Sequence, residues 1–138
     1  MRGLIALAGG VLLLAGCETA FVGDAPGGRY ALVEVNGRPV PHVVDPPDHC
    51  RTRIDAGHFE LDALARRFEM VLDRAGLCSA PADVVERGSY LRRGGRLELE
   101  AEAPGGASRT LVASESGETI SLDYDRLRLR FRQVARQR

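Results

Sequence analysis

Residues 119–132, TISLDYDRLRLRFR, are the stretch that decides the fold class of this chain. Apolar and polar side chains alternate along both halves of the stretch, and Asp125 marks a turn between the halves. Because successive side chains of a β-strand point to opposite faces, such alternation indicates two half-buried strands. The sequence therefore predicts an antiparallel hairpin whose inward-facing side chains are Ile120, Leu122, Tyr124, Leu127, Leu129 and Phe131.

Segments of similar length continue upstream of this hairpin. Alternating or apolar stretches at 84–93, 96–102 and 109–114 each have the length of one strand, and few helix signals interrupt them. Turn residues separate the segments, at Gly94-Gly95, at Pro104-Gly105-Gly106 and at Gly117. This spacing is typical of an antiparallel all-β protein.

The first strand is predicted over residues 29–35. Tyr30 and Leu32 lie on one face of this strand, and Val35 lies on the other face. Asn36-Gly37 follows the strand, and both residue types tolerate the positive φ that a two-residue hairpin turn requires. We therefore expect a tight turn directly after the first strand.

Residues 61–77 fit two kinds of structure. Leu61, Leu64 and Phe68 belong to a stripe with helical spacing. Phe68, Met70 and Leu72 fit the face of a strand equally well. Gly57 before the segment and a disulfide at Cys78 after it, which is argued below, favour strands. A helix is the alternative for this segment.

These segments together predict an all-β domain over 29–134, followed by a short C-terminal tail over 135–138. The expected architecture is an antiparallel up-and-down barrel of about eight strands. The first strand, near Tyr30, then pairs with the last strand, near Phe131, so that no sheet edge is left open. At that strand number the interior is either filled by side chains or holds one small ligand.

Residues 1–16 have the features of a secretory signal peptide. Arg2 supplies a positive start, and residues 4–15 form an apolar stretch that is too short to span a membrane as a helix. The stretch ends in Leu14-Ala15-Gly16-Cys17, which resembles the lipobox of bacterial lipoproteins. The resemblance implies a lipid on Cys17 and a flexible tether over 17–28.

A lipid on Cys17 makes the membrane a partner of the mature protein through an anchor rather than a span. In lipoproteins of this kind, Asp after the cysteine favours the inner membrane, and this chain has Glu18. The resemblance therefore implies a location in the cell envelope, at the outer membrane and facing the periplasm.

Cys50 and Cys78 remain once Cys17 is lipidated. An even pair of cysteines in an oxidising compartment predicts a disulfide between them. A metal site built from these cysteines and neighbouring histidines is the alternative, but the chain has no C-x-x-C or H-x-x-x-H spacing. The sequence thus predicts neither a metal site nor another cofactor.

Several short motifs carry a resemblance that spans residues 28–132. Tyr30-x-Leu32 and Val35-Asn36-Gly37-Arg38-Pro39-Val40-Pro41 are followed by Gly88-Ser89-Tyr90 and by Leu129-Arg130-Phe131-Arg132. This order is similar to that of small bacterial lipocalin-like lipoproteins, and it implies a lipocalin-like barrel. Gly28-Arg29-Tyr30 also resembles the Gly-x-Trp of true lipocalins, whose aromatic ring packs near an arginine of the last strand.

Charge and motifs exclude several classes of function. The chain has 19 basic and 19 acidic residues, whereas a nucleic-acid binder normally has a basic excess. It has no nucleophile elbow, phosphate-binding loop or zinc signature, so we expect a protein that is not an enzyme. Alternation places four arginines on one face of the last strand: Arg126, Arg128, Arg130 and Arg132. We expect this face to be the solvated outside of the barrel, paired with Glu98, Glu100 and Glu102 if those strands are neighbours. The alternative is that the arginines hold an anionic group.

Three hypotheses of function follow from these observations. The barrel binds a small apolar ligand, and its wall includes Leu97, Leu99, Ile120, Leu122, Leu127 and Leu129. Alternatively, it interacts with proteins, for example as an inhibitor of a periplasmic protease or of lysozyme. A third possibility is a non-catalytic structural component of the envelope.

Overall fold

A computed structural model describes residues 27–44, 51–76, 83–103 and 105–134. The described residues form ten β-strands and no helix. The strands are β1 (Arg29–Val35), β2 (Arg38–Pro39), β3 (His42–Val44), β4 (Thr52–Asp62), β5 (Arg67–Gly76), β6 (Val84–Arg93), β7 (Arg96–Glu102), β8 (Ser108–Ser116), β9 (Thr119–Tyr124) and β10 (Leu127–Gln133).

Eight of these strands close into an antiparallel barrel, as the sequence predicts. From β4 to β10 each strand pairs with the next in the chain, and β1 closes the ring by pairing with both β10 and β4. Leu32 lies opposite Phe131 in the first of these closing pairs. The expected pairing of the first and last strands is therefore confirmed.

The described part of the segment 61–77, residues 61–76, belongs to a β-hairpin. β4 runs unbroken through Gly57 to Asp62, residues 63–66 form the turn, and β5 follows. Phe68, Met70 and Leu72 are all buried on the inner face of β5. The strand interpretation is confirmed and the helical alternative is wrong, because these side chains face the barrel interior with a period of two.

A bulge in β1 changes the face on which Val35 lies. The pairing with β10 shifts between Leu32 and Glu34, so that Val33 is the extra residue. A bulge of this kind reverses the alternation beyond it. Val35 is consequently 0 % exposed and joins Tyr30 and Leu32 in the core, contrary to the prediction that placed it on the opposite face.

β2 and β3 fill a gap between β1 and β4. β1 and β4 pair directly only between residues 29–31 of β1 and residues 58–60 of β4. Beyond that point β2 pairs with the end of β1, and β3 pairs with the beginning of β4. The turn between β1 and β2 is at Asn36-Gly37, with φ of 53° and 75°, as the sequence predicts.

The core occupies the middle of the barrel. Phe59 is at its centre, and the centroid of its ring lies 5.9 Å from that of Phe68 and 5.6 Å from that of Phe131. Gly88 lies directly opposite Phe68, and a Cβ there would come 1.8 Å from the carbonyl oxygen of Glu100. Glycine at this position therefore permits β6 to approach β7 closely.

The strand directions define two ends of the barrel. The chain enters β1 at Gly27 and Gly28, beside the 63–66 turn, and the amide N–H of Leu61 donates to the carbonyl of Gly28. We call this the Gly27 end. The Asn36-Gly37 turn and the turn between β9 and β10 lie at the opposite end.

Candidate functional site

A cleft of about 610 Å³ opens at the end of the barrel opposite Gly27, and we call it the mouth. Its floor is apolar and includes Ile54 and Leu72, which belong to the core. Polar and basic side chains surround this floor. The residues that line the mouth are Asn36, Arg38, His42, Val43, Val44, Thr52, Ile54, Leu72, Arg74, Val84, Tyr124, Asp125, Arg126 and Leu127.

Among the described residues that line the mouth, basic side chains outnumber acidic ones. Arg38, Arg74 and Arg126 contribute three guanidinium groups, whereas Asp125 contributes the one carboxylate of the lining. Arg109 reaches that carboxylate, with its Nη1 3.4 Å from Oδ1. Since Asp125 is offset by Arg109, Arg38 and Arg126 give the described part of the rim positive charge that a group entering the mouth would meet.

A hydrogen-bonded cluster lies beneath one side of the mouth. The Tyr124 hydroxyl donates to Oε1 of Glu86 over 2.6 Å, and Arg109 pairs with the same carboxylate. The Arg109 guanidinium also lies over the Tyr124 ring, 4.8 Å from its centroid. Burial, reinforced by the neighbouring Glu86 carboxylate, raises the pKa of Tyr124 to about 12.

A second inward-facing ion pair lies toward the Gly27 end. Arg92 binds Glu115 through two hydrogen bonds of 2.8 and 3.0 Å, and both side chains are only 13 % exposed. Burial raises the pKa of Tyr30, and the adjacent Glu115 carboxylate raises it further. The arginine beside Tyr30 thus comes from β6, whereas the lipocalin resemblance implies one from the last strand.

The aliphatic residues considered as a cavity wall form a filled core instead. Leu97, Leu99, Ile120, Leu122 and Leu129 are essentially without exposed surface and belong to one apolar cluster. Leu127 is half-buried and lines the mouth. A ligand of this barrel is therefore expected in the mouth, above the core, rather than among these leucines.

The outward arginines of β10 pair with acidic residues of the neighbouring strands β9 and β1, not with the glutamates of β7. Arg128 pairs with Asp123 on β9 over 3.1 Å, and Arg130 pairs with Glu34 on β1. A ladder with Glu98, Glu100 and Glu102 is wrong, because those residues lie on β7, which does not neighbour β10. Arg126 lies in the turn before β10 and lines the mouth.

Three of the residues singled out in the sequence lie outside the described residues. They are Cys17, Cys50 and Cys78, so the lipid and the disulfide stay predictions. Of the histidines, His42 lines the mouth and His58 lies on the outer wall.

Sequence reasoning missed Glu86 and Arg109. Their inward direction was available, because Glu86 shares its strand face with Tyr90 and Arg109 shares its face with Ala113. The missing information was that these two residues, 23 positions apart, meet across the barrel.

No family model, curated protein or solved structure matches the chain. Within the described ranges, no helix has the length and apolar character needed to cross a membrane.

Proposed function

We propose that this chain is a lipid-anchored envelope protein whose barrel binds a small amphipathic anion in the mouth. The observation that carries the proposal is an apolar floor, with Ile54 and Leu72, beneath a rim that contains Arg38 and Arg126. The floor suits the hydrocarbon part of a ligand, and the guanidinium groups suit a carboxylate, sulfate or phosphate. The sequence alone suggested an apolar ligand, and the basic rim adds an anionic group to the ligand that we propose.

The position of the mouth relative to the proposed anchor supports this function. Cys17 lies ten positions before Gly27, and Gly27 is at the end of the barrel opposite the mouth. If the tether predicted from the sequence follows random-coil statistics, ten residues span roughly 17 Å on average. With a lipid on Cys17, the Gly27 end faces the membrane and the mouth faces the periplasm.

Binding of dodecanoate, measured by isothermal titration calorimetry, tests the proposal. We expect one dodecanoate per protein, with weaker binding of the neutral dodecanol. Replacing two rim arginines, in Arg38→Gln/Arg126→Gln, should weaken dodecanoate binding by up to about 30-fold, since each exposed ion pair contributes at most about 1 kcal/mol and two contribute at most about 2 kcal/mol. Arg128→Gln is the matched control, because Arg128 is an exposed arginine outside the mouth lining.

Two results would contradict the proposed site. One is no detectable binding of dodecanoate by the folded protein at millimolar concentration. The other is binding that the Arg38→Gln/Arg126→Gln variant and the Arg128→Gln control retain equally.

A protein-interaction role is the second candidate, and the observation that favours it is Leu64. This side chain is 100 % exposed at the 63–66 turn and lines a cleft of about 680 Å³ at the Gly27 end, together with Leu61 and Phe68. An inhibitor of a periplasmic protease or of lysozyme would act at a one-to-one ratio in an activity assay. Leu64→Ser should then abolish inhibition while leaving the fold intact, and the absence of inhibition would remove this candidate.

A further inference from the structure

His58, Glu60 and Glu69 form a cluster on the outer wall of the barrel, apart from the mouth. Their ligand atoms all lie within 4.8 Å of one another. His58 and Glu60 are two positions apart on β4 and so share its outer face, and Glu69 lies directly opposite Glu60 on β5. One strand pair therefore brings an imidazole and two carboxylates together.

The separation of the donor atoms suits a shared metal ion. Nε2 of His58 is 3.7 Å from Oε1 of Glu69, which is longer than a hydrogen bond. Two ligands bound to one tetrahedral Zn²⁺ at about 2.0–2.2 Å lie roughly 3.4 Å apart. The two side chains thus need to move by only a few tenths of an ångström to bind the same ion.

Arg87 orients the Glu69 carboxylate without occupying both of its oxygens. Its Nε donates to Oε2 over 2.5 Å, and Oε1 is the oxygen that faces His58. Hydrogen bonds of this kind commonly position a carboxylate that binds a metal through its other oxygen.

The strands that carry the donors form a long, regular ladder. The pairing of β4 with β5 extends from Asp62↔Arg67 to Thr52↔Gly76, and the stretch that holds the cluster contains no bulge. The side chains beneath the cluster, including Phe59 and Met70, are fully buried. The scaffold therefore holds the donors in place before an ion arrives.

We propose that His58, Glu60 and Glu69 bind a divalent transition-metal ion, with Zn²⁺ as the preferred class. Imidazole and carboxylate donors suit Zn²⁺, and three protein ligands leave one coordination position open. Glu60 and Glu69 also line a second cleft, of about 680 Å³, beside Gly27. Water or a donor group of a partner that enters this cleft can complete the coordination.

Titration of the whole protein with Zn²⁺ against a chromophoric zinc indicator tests this site. We expect one ion per protein in the wild type. His58→Ala and Glu69→Gln should each weaken binding by about 100-fold or more, since the loss of an outer-shell partner alone costs about 10–100-fold. His42→Ala is the matched control, because it removes a histidine that lines the mouth, and it should leave Zn²⁺ affinity unchanged.

Substitution with Co²⁺ tells this site from one that uses cysteine. Binding by His58, Glu60 and Glu69 should give visible absorption without a near-ultraviolet thiolate band. A thiolate band, no binding of Zn²⁺, or unchanged affinity in folded His58→Ala and Glu69→Gln variants would overturn the proposal. Circular dichroism of each variant establishes that it is folded.

Discussion

Tyr124 couples the stability of the barrel to alkaline pH. Its hydroxyl donates to Glu86, and its pKa of about 12 in the folded protein exceeds the ordinary value of 10.0. A group whose pKa is higher in the folded than in the unfolded protein contributes to the free energy of unfolding. This contribution is fully present below the unfolded pKa of about 10, and it is lost as the pH rises from 10 toward the folded pKa of about 12. The contribution amounts to up to about 2 kcal/mol.

We therefore expect the free energy of unfolding to fall between pH 9 and pH 11.5, and to fall less steeply in Tyr124→Phe. Denaturant unfolding at a series of pH values measures both slopes. Tyr30 also has a raised pKa, so part of the slope should persist in the variant. Equal slopes in the two proteins would show that Tyr124 ionises in the folded state as readily as in the unfolded chain.

Individual residues differ in how far the sequence could predict their roles. The inward direction of Leu129 and Phe131 follows from alternation alone, because a regular strand has a period of two. The same rule gave the wrong direction for Val35, because a bulge at Val33 reverses the alternation. The bulge depends on pairing with β10, which the local sequence does not encode. The ion pairs of Glu86 and Arg92 required knowledge of which strands face each other across the barrel.

At the scale of elements, the predicted disulfide would join the two segments that flank the β4–β5 hairpin in the sequence. The last described pair of this hairpin is Thr52↔Gly76, and in the sequence Cys50 and Cys78 each lie two positions beyond it. The cysteines themselves lie outside the described residues. Arg51 lies outside β4, so the described ladder ends at Thr52, and the bond between Cys50 and Cys78 stays a prediction from the sequence.

We expect Cys50 and Cys78 to resist alkylation in the folded and the denatured protein until a reductant is added. Mass spectrometry after alkylation counts the free thiols before and after reduction. A bridge that closes a loop of this length stabilises the fold by about 3–4 kcal/mol in the loop-entropy model. Rapid alkylation of both cysteines without a reductant would contradict the prediction.

Turns and strand lengths were the most predictable features at this scale. Asn36-Gly37 and Gly117 specify turns through their tolerance of positive φ, and both turns are present. The hairpin at 61–77 was ambiguous because its apolar residues satisfy two periods, and only pairing with β4 selects one. β2 and β3 depend on the gap between β1 and β4, which no local pattern reveals.

At the scale of the whole molecule, the predicted lipid on Cys17 decides where the protein resides. We expect the wild type in the membrane fraction and Cys17→Ser in the soluble fraction, because the anchor is attached only through this thiol. Cell fractionation followed by immunoblotting measures the distribution. Cys50→Ser is the control, since it removes a cysteine outside the lipobox, and membrane association of Cys17→Ser would contradict the lipid anchor.

The pairing that closes the barrel also brings the two ends of the described chain together. Tyr30 lies opposite Gln133, and the amide of Val134 donates to the carbonyl of Arg29 over 2.8 Å. The ring of strands therefore has no obligatory starting point, and a circular permutant that joins these ends and opens at Gly94-Gly95 preserves every strand pair. That turn is at the same end of the barrel as Gly27, so a lipid attached to the new terminus would still leave the mouth facing outward.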